Sequence, residues 1–197
     1  DSEPRHFSSM EVFLYNFNFI WFNTFLALIA VLFGWLMSKA DSTFAKVWTG
    51  FIWFIFLPNT IYILTDITHL FEDWSKVNDF FRTLLVIQYA LFAILGIITF
   101  TIAINYFRKV LDRGSKQMKI STIFAICLLN LMVGFGVVLG GIQRTNSWYV
   151  ITDPSRVFED ALNLIYSQEL LMLSIAVGLF NNAVYFLMAE TVAAWGK

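Results

Sequence analysis

The chain has 197 residues, 58% of them hydrophobic and 14% charged, with a formal net charge of −1. A soluble domain carries about 25% charged residues, so this composition excludes an ordinary water-soluble fold, and the near-zero charge offers no electrostatic footprint for nucleic acid. The single cysteine, Cys127, lies in an apolar run, which leaves no intrachain disulfide and no cysteine cage for a metal.

In chain order, residues 1–10 are polar and lack the basic-then-apolar pattern of a signal peptide. They are expected to form a tail or the start of a short interfacial segment. Five apolar runs follow, at approximately 17–37, 47–65, 83–107, 120–142 and 170–190. Each approaches the roughly 20 residues that cross a bilayer at a rise of about 1.5 Å per residue. The expected architecture is therefore an all-α polytopic transmembrane helical bundle of about five spans, forming one domain over 1–197. Its 22 Phe, 7 Trp and 7 Tyr suit lipid-facing surface and interfacial belts. The first run reaches back to Val12 if Asn16, Asn18 and Asn23 line one face.

The second run is interrupted by Pro58-Asn59 and ends in Thr65-Asp66-Ile67-Thr68-His69. Proline removes a backbone donor and clashes with the carbonyl four residues back, so the helix is expected to kink or break there. Asn59 either satisfies the freed groups or lines a cavity. Asp66 and His69, three residues apart, share a helical face, and Tyr62 joins it four residues earlier. Such a pair can orient a base, bind a metal or form a plain hydrogen bond. Two ligands are too few to define a metal site, and Glu72, Asp73 and Asp79 read equally as a solvated acidic loop.

The connections set the expected orientation. Lys39, Lys46, Arg108, Lys109, Arg113, Lys116, Lys119 and Lys197 place eight of thirteen basic residues on one side. Arg5, Lys76, Arg82, Arg144 and Arg156 fall on the other. The positive-inside rule then puts the N-terminus outside and the C-terminus in the cytoplasm of a multi-pass cell-membrane protein. Residues 66–82 and 143–169 become the two outer loops. In the second, Asp153-Pro154 signals a helix start, and apolar residues at helical spacing predict an interfacial amphipathic helix over about 154–168. Asp160 is expected on its polar side, and the helix could equally cover the outer ends of the spans as a lid.

Gly136 and Gly140 form a small-xxx-small face that admits close helix approach. Arg144 beyond them can meet headgroups, satisfy the last carbonyls of its helix, or bind an anion. Asn146-Ser147-Trp148 reads as a turn with an interfacial anchor. The remaining amides in the apolar runs, Gln88, Asn105, Asn130, Asn181 and Asn182, are expected to hydrogen bond between helices. No ionisable residue stands at the centre of a span, and no nucleotide-binding glycine loop or metalloprotease motif is present.

Two blocks carry a resemblance. They are Phe56-Leu57-Pro58-Asn59-x-x-Tyr62-x-x-Thr65-Asp66-x-x-His69-Leu70, and Gly134-x-Gly136-x-x-x-Gly140 with Arg144-x-Asn146-Ser147-Trp148. In that order and separation they resemble a bacterial integral-membrane family, domain of unknown function thirteen-sixty-one, over most of the chain. The resemblance implies a bacterial cell-membrane protein with several spans and brings no activity or cofactor with it. In that family an arginine often follows the glycine corresponding to Gly140; here the residue is Gly141, leaving Arg144 as the positive charge of this segment.

The expected site lies outside the membrane. In it Asp66 and His69 are the catalytic candidates, and Asn59, Tyr62, Arg144, Asn146 and Trp148 are the substrate-binding ones. The expected substrate is a lipid or an envelope-linked molecule. The alternative is a non-catalytic subunit or scaffold whose polar motifs lock the outer loops together. Its membrane-protein partner would meet the Gly136/Gly140 face or the amphipathic helix.

Overall fold

The computed structural model describes residues 8–112 and 118–195, with 63–66 and 192–195 described as helical backbone alone. Most of the expected N-terminal tail, the charges of Arg5, Arg113, Lys116 and Lys197, and the side chain of Asp66 lie outside the described residues. Of the described residues 88% are helical and none is in a strand. The helices are α1 (Ser9–Lys39), α2 (Thr43–Phe56), α3 (Pro58–Ile61), α4 (Ile63–Trp74), α5 (Asp79–Asp112), α6 (Ile120–Gly141), α7 (Tyr149–Thr152), α8 (Pro154–Tyr166) and α9 (Gln168–Trp195). Five stretches are long and apolar enough to cross a membrane: α1, α2 with α3, α5, α6, and α9 as far as Thr191.

Caps account for boundaries that hydropathy misses. α1 begins at Ser9, ahead of its apolar run, because Ser8 closes a capping box: its hydroxyl accepts from the Glu11 N–H at 3.3 Å. The Glu11 carboxylate accepts from the Ser8 N–H at 2.7 Å. α5 likewise starts early, where the Asn78 side chain accepts from the Phe81 N–H at 3.1 Å. α8 starts at Pro154 with Asp153 as its N-cap, and it ends at Tyr166.

The second run does not continue as one span to residue 65. It breaks at Leu57 and again at Tyr62. Pro58 has no N–H to donate, and nearby side chains serve the carbonyls before it. Asn59 Nδ2 donates to the Phe56 carbonyl at 3.1 Å and Thr60 Oγ1 to the Leu57 carbonyl at 2.7 Å. Both side chains are buried, as irregular backbone at membrane depth requires.

Packing divides the bundle into two halves. α1 lies against α2 and α5, α6 lies against α9, and α5 joins the halves through α9, while no comparable packing joins α1 to α6. The α6–α9 crossing depends on two glycines. A Cβ on Gly134 would overlap the Ser174 carbonyl and the Gly178 backbone, and one on Gly178 would lie 2.7 Å from Leu131 Cα. Among the buried amides, Asn130 donates to Asn182 at 2.9 Å and Asn105 accepts from the Tyr185 hydroxyl at 3.0 Å. Gln88 and Asn181 depart from the expectation: their buried side-chain N and O atoms have no hydrogen-bond partner. At the end of the bundle holding the α5–α6 turn, Asp112 is buried and accepts from Thr122 Oγ1 at 2.6 Å and Arg108 Nε at 3.4 Å.

Candidate functional site

A cavity of about 1680 Å³ occupies the gap between α1 and α6, with α2, α3 and α4 as its back wall. Small-molecule sites typically enclose about 300–1,000 Å³, so this one has room for a larger ligand. Its lining is graded. Near mid-span it is apolar, with Leu26, Phe54, Ile55, Leu131, Met132 and Phe135. Toward the end of the bundle it becomes polar, with Tyr15, Asn16, His69 and Asp73 on the α1/α4 side and Arg144, Asn146 and Ser147 across from them.

The grading follows from helical periodicity. On α1, Val12, Asn16, Phe19, Asn23 and Leu26 recur at three- and four-residue spacing and present one stripe to the cavity. Asn18, two positions from Asn16, is exposed and takes no part. The α3–α6 contact depends on the predicted glycine face. A Cβ on Gly136 would stand 2.6 Å from Pro58 Cγ, and one on Gly140 would overlap the Tyr62 hydroxyl. The Gly136/Gly140 face thus receives the Pro58–Tyr62 segment of the same chain. Both glycines are needed to seat the broken helix against α6.

Two networks hold the polar end. Asn59 Nδ2, besides its backbone contact, donates to Ser147 Oγ at 2.8 Å, joining the two motif blocks directly. Thr145 Oγ1 donates to Asp160 of α8. Asp160 is therefore turned inward, contrary to its expected place on the polar side, because the α6–α7 loop presents a buried hydroxyl to it. On the opposite wall Asn16 Nδ2 donates to Asp73 Oδ2 at 2.8 Å and Asn16 Oδ1 accepts from the Tyr89 hydroxyl at 3.2 Å, while Lys76 donates to Asp73 Oδ1 at 2.7 Å. The Asp73 hydrogen bond outweighs the opposing effect of burial and, with the charges of Asp73 and Glu72, holds the Lys76 ammonium above the usual lysine range. Asp73 therefore belongs to a buried network, not to a solvated acidic loop. Only the asparagine spacing on α1 hinted at this wall.

The predicted residues are distributed as follows. Asn59, Tyr62, His69, Arg144 and Asn146 all line the cavity. Trp148 stands at its rim and packs edge-on against Phe22 of α1, with ring centroids 6.1 Å apart. The backbone of Asp66 lies on α4 one turn before His69. His69 Nδ1 is 3.1 Å from Glu72 Oε2, and its ring meets Phe19 edge-on at 5.5 Å. Among the described residues, no group of three His, Cys, Asp or Glu side chains is placed to hold a metal ion.

Arg144 differs from the other charged residues of the lining. Lys76 is paired with Asp73, whereas among the described residues the Arg144 guanidinium has neither a hydrogen bond nor an ion pair. Its backbone is left-handed, with φ 56°, unlike that of any other described non-glycine residue. That conformation costs an L-residue about 1–2 kcal/mol, and such strain clusters at functional sites.

Membrane-length helices around a cavity that is apolar at mid-span and polar at one end define a multi-pass α-helical membrane protein. The chain belongs to the family described as protein of unknown function DUF1361, which matches residues 22–184 and so includes both motif blocks. No curated protein and no solved structure matches the chain.

Proposed function

We propose that the protein binds a membrane-resident amphiphile with an anionic headgroup. The headgroup lies against Arg144, with Asn146 and Tyr62 nearby, and the acyl chain runs along Leu26, Phe54, Met132 and Phe135. The observation that carries this reading is the strained Arg144, unpaired among the described residues, at the polar end of a cavity whose other end is apolar. A guanidinium suits phosphate because its planar donor array makes two parallel hydrogen bonds. The balance of basic residues, eight against five, supports placing this polar end on the extracytoplasmic face of a bacterial cell membrane, with the C-terminus inside. In the enzymatic form of the proposal, His69 moves a proton at the headgroup, oriented by Glu72 or Asp66.

Arg144→Gly tests the binding. Glycine relieves the left-handed strain but adds freedom to the unfolded chain, so the ligand-free variant gains about 0.5–1 kcal/mol. Thermal unfolding of purified protein in detergent, with phosphatidylglycerol, phosphatidylcholine or inorganic phosphate added, reads the outcome. Wild type should be stabilised by phosphatidylglycerol alone, and Arg144→Gly by none of the three. An equal response of both proteins to phosphatidylglycerol would sink the proposal, and stabilisation by phosphate alone would make the ligand a soluble anion.

The direct Asn59–Ser147 and Thr145–Asp160 bonds favour a second reading, a scaffold with its outer segments locked together. Its partner surface would be the exposed flank of α8 with Phe158, Ile165 and Tyr166. Purification that recovers one stoichiometric partner, lost on Phe158→Ser, would support it.

A further inference from the structure

The cavity has protein on three sides, and the fourth decides how a ligand reaches it. α1 and α6 form two walls and α2 to α4 the back, Val150 of α7 and Val157 of α8 add to the lining at the polar end, and none of the lining residues comes from α5 or α9. Among the described spans none stands between α1 and α6 along the front, and the two are not closely packed against each other. At the upper rim the ring contact bridging this front is Phe22 against Trp148, both partly exposed.

Depth settles what lies outside. Met132 lines the cavity and is 49% exposed. α6 runs from 120 to 141, so its midpoint falls between 130 and 131, and Met132 stands within two residues of it. At about 1.5 Å per residue that is roughly 3 Å from the centre of a hydrocarbon layer whose half-thickness is about 15 Å. A gap between two spans at that level faces acyl chains, not water.

We infer that the cavity is open sideways to the bilayer between α1 and α6, below Phe22 and Trp148. Its ligand is therefore a lipid that arrives from within the leaflet and keeps an acyl chain in this gap. This rests on the amphiphile reading above and adds the route and the lodging of the chain. The apolar lower cavity then needs no water-filled path, and Phe22 and Trp148 form an aromatic rim between headgroup and chain.

Two measurements in nanodiscs containing phosphatidylglycerol test this. Met132→Trp fills the gap, and Leu128→Trp, one turn away on exposed α6 surface outside the cavity lining, controls for the added bulk. Native mass spectrometry should show phosphatidylglycerol retention falling about fivefold or more in Met132→Trp and unchanged in Leu128→Trp. In Cys127→Ala/Met132→Cys labelled with bimane, brominated acyl chains should quench the label and aqueous iodide should not. Undiminished retention in Met132→Trp, or quenching by iodide alone, overturns the lateral opening. If wild type itself retains no phosphatidylglycerol over phosphatidylcholine, the amphiphile reading fails instead.

Discussion

α6 has two unlike sides. Toward α9 it is zipped shut: Gly134 and Gly178 bring the backbones together, and Asn130 and Asn182 tie the crossing. Toward α1 it is held apart, and the glycines at 136 and 140 admit the broken Pro58–Tyr62 segment instead of a neighbouring span. One helix thus uses the same residue type for two ends. On one side glycine maximises dispersion contact, the main source of cohesion between helices in lipid. On the other it lets a broken, partly polar stretch settle beside a cavity. The lesson is that a small-residue stripe reports close approach without saying what approaches.

The largest expected effect breaks the zipped side. Gly178→Leu drives a side chain into Leu131 and the Asn130 carbonyl. No flexible side chain alone can yield, so the loss should reach about 3 kcal/mol or more. Monodisperse yield and unfolding temperature in detergent check it, and a normally folded Gly178→Leu protein would contradict the described crossing.

Gly140→Ala acts on the open side. The methyl group meets the Tyr62 ring, which can swing away, so the expected cost is smaller, about 1–2 kcal/mol. The same change should weaken phosphatidylglycerol binding by moving the back wall. Equal damage from Gly140→Ala and Gly178→Leu would erase the distinction between the two sides.

Smaller still is the coupling between the motif blocks. A double-mutant cycle of Asn59→Ala and Ser147→Ala should give a coupling of about 0.5–1.5 kcal/mol, since their hydrogen bond joins the two blocks directly. Strict additivity would mean that the two blocks are neighbours without being tied.

The smallest effect lies on the N-cap of α8, outside the spans. The Ser155 hydroxyl, then the Arg156 N–H, hold the Asp153 carboxyl below the usual range, slightly opposed by desolvation. A depressed carboxyl contributes stability above its unfolded value, near pH 4, and loses it as pH falls through the lower folded value. Asp153→Asn keeps a cap acceptor without the charge. It should abolish that acid dependence and leave stability at pH 7 little changed, as measured by thermal melts from pH 2 to 7.

Much of the local structure was legible in the chain. The five spans follow from apolar length, the break in the second from Pro58, and the start of α8 from Asp153-Pro154. The lining of the cavity was legible in part. Five of the seven candidates line the cavity and Trp148 edges it, because unusual polar residues at the ends of apolar helices have few other reasons to be there. Asn16, Asp73 and Ser147 were seen in the sequence but not counted among the candidates, because each has an ordinary role as an isolated residue and only their partners make them a network.

What the sequence determined by itself was therefore one-dimensional: which stretches are helical, where one breaks, and which residues share a face. Tertiary structure decided which faces meet. Asn59 finds Ser147 across 88 positions and Asn16 finds Asp73 across 57, and Tyr62 fills the space that Gly140 leaves. The physical reason is that these long helices are apolar all round. The contrast between a buried and a solvated face, which orients a helix in a soluble protein, is missing when the surrounding solvent is also hydrocarbon. Packing shape then makes the choice, and packing shape exists only in three dimensions.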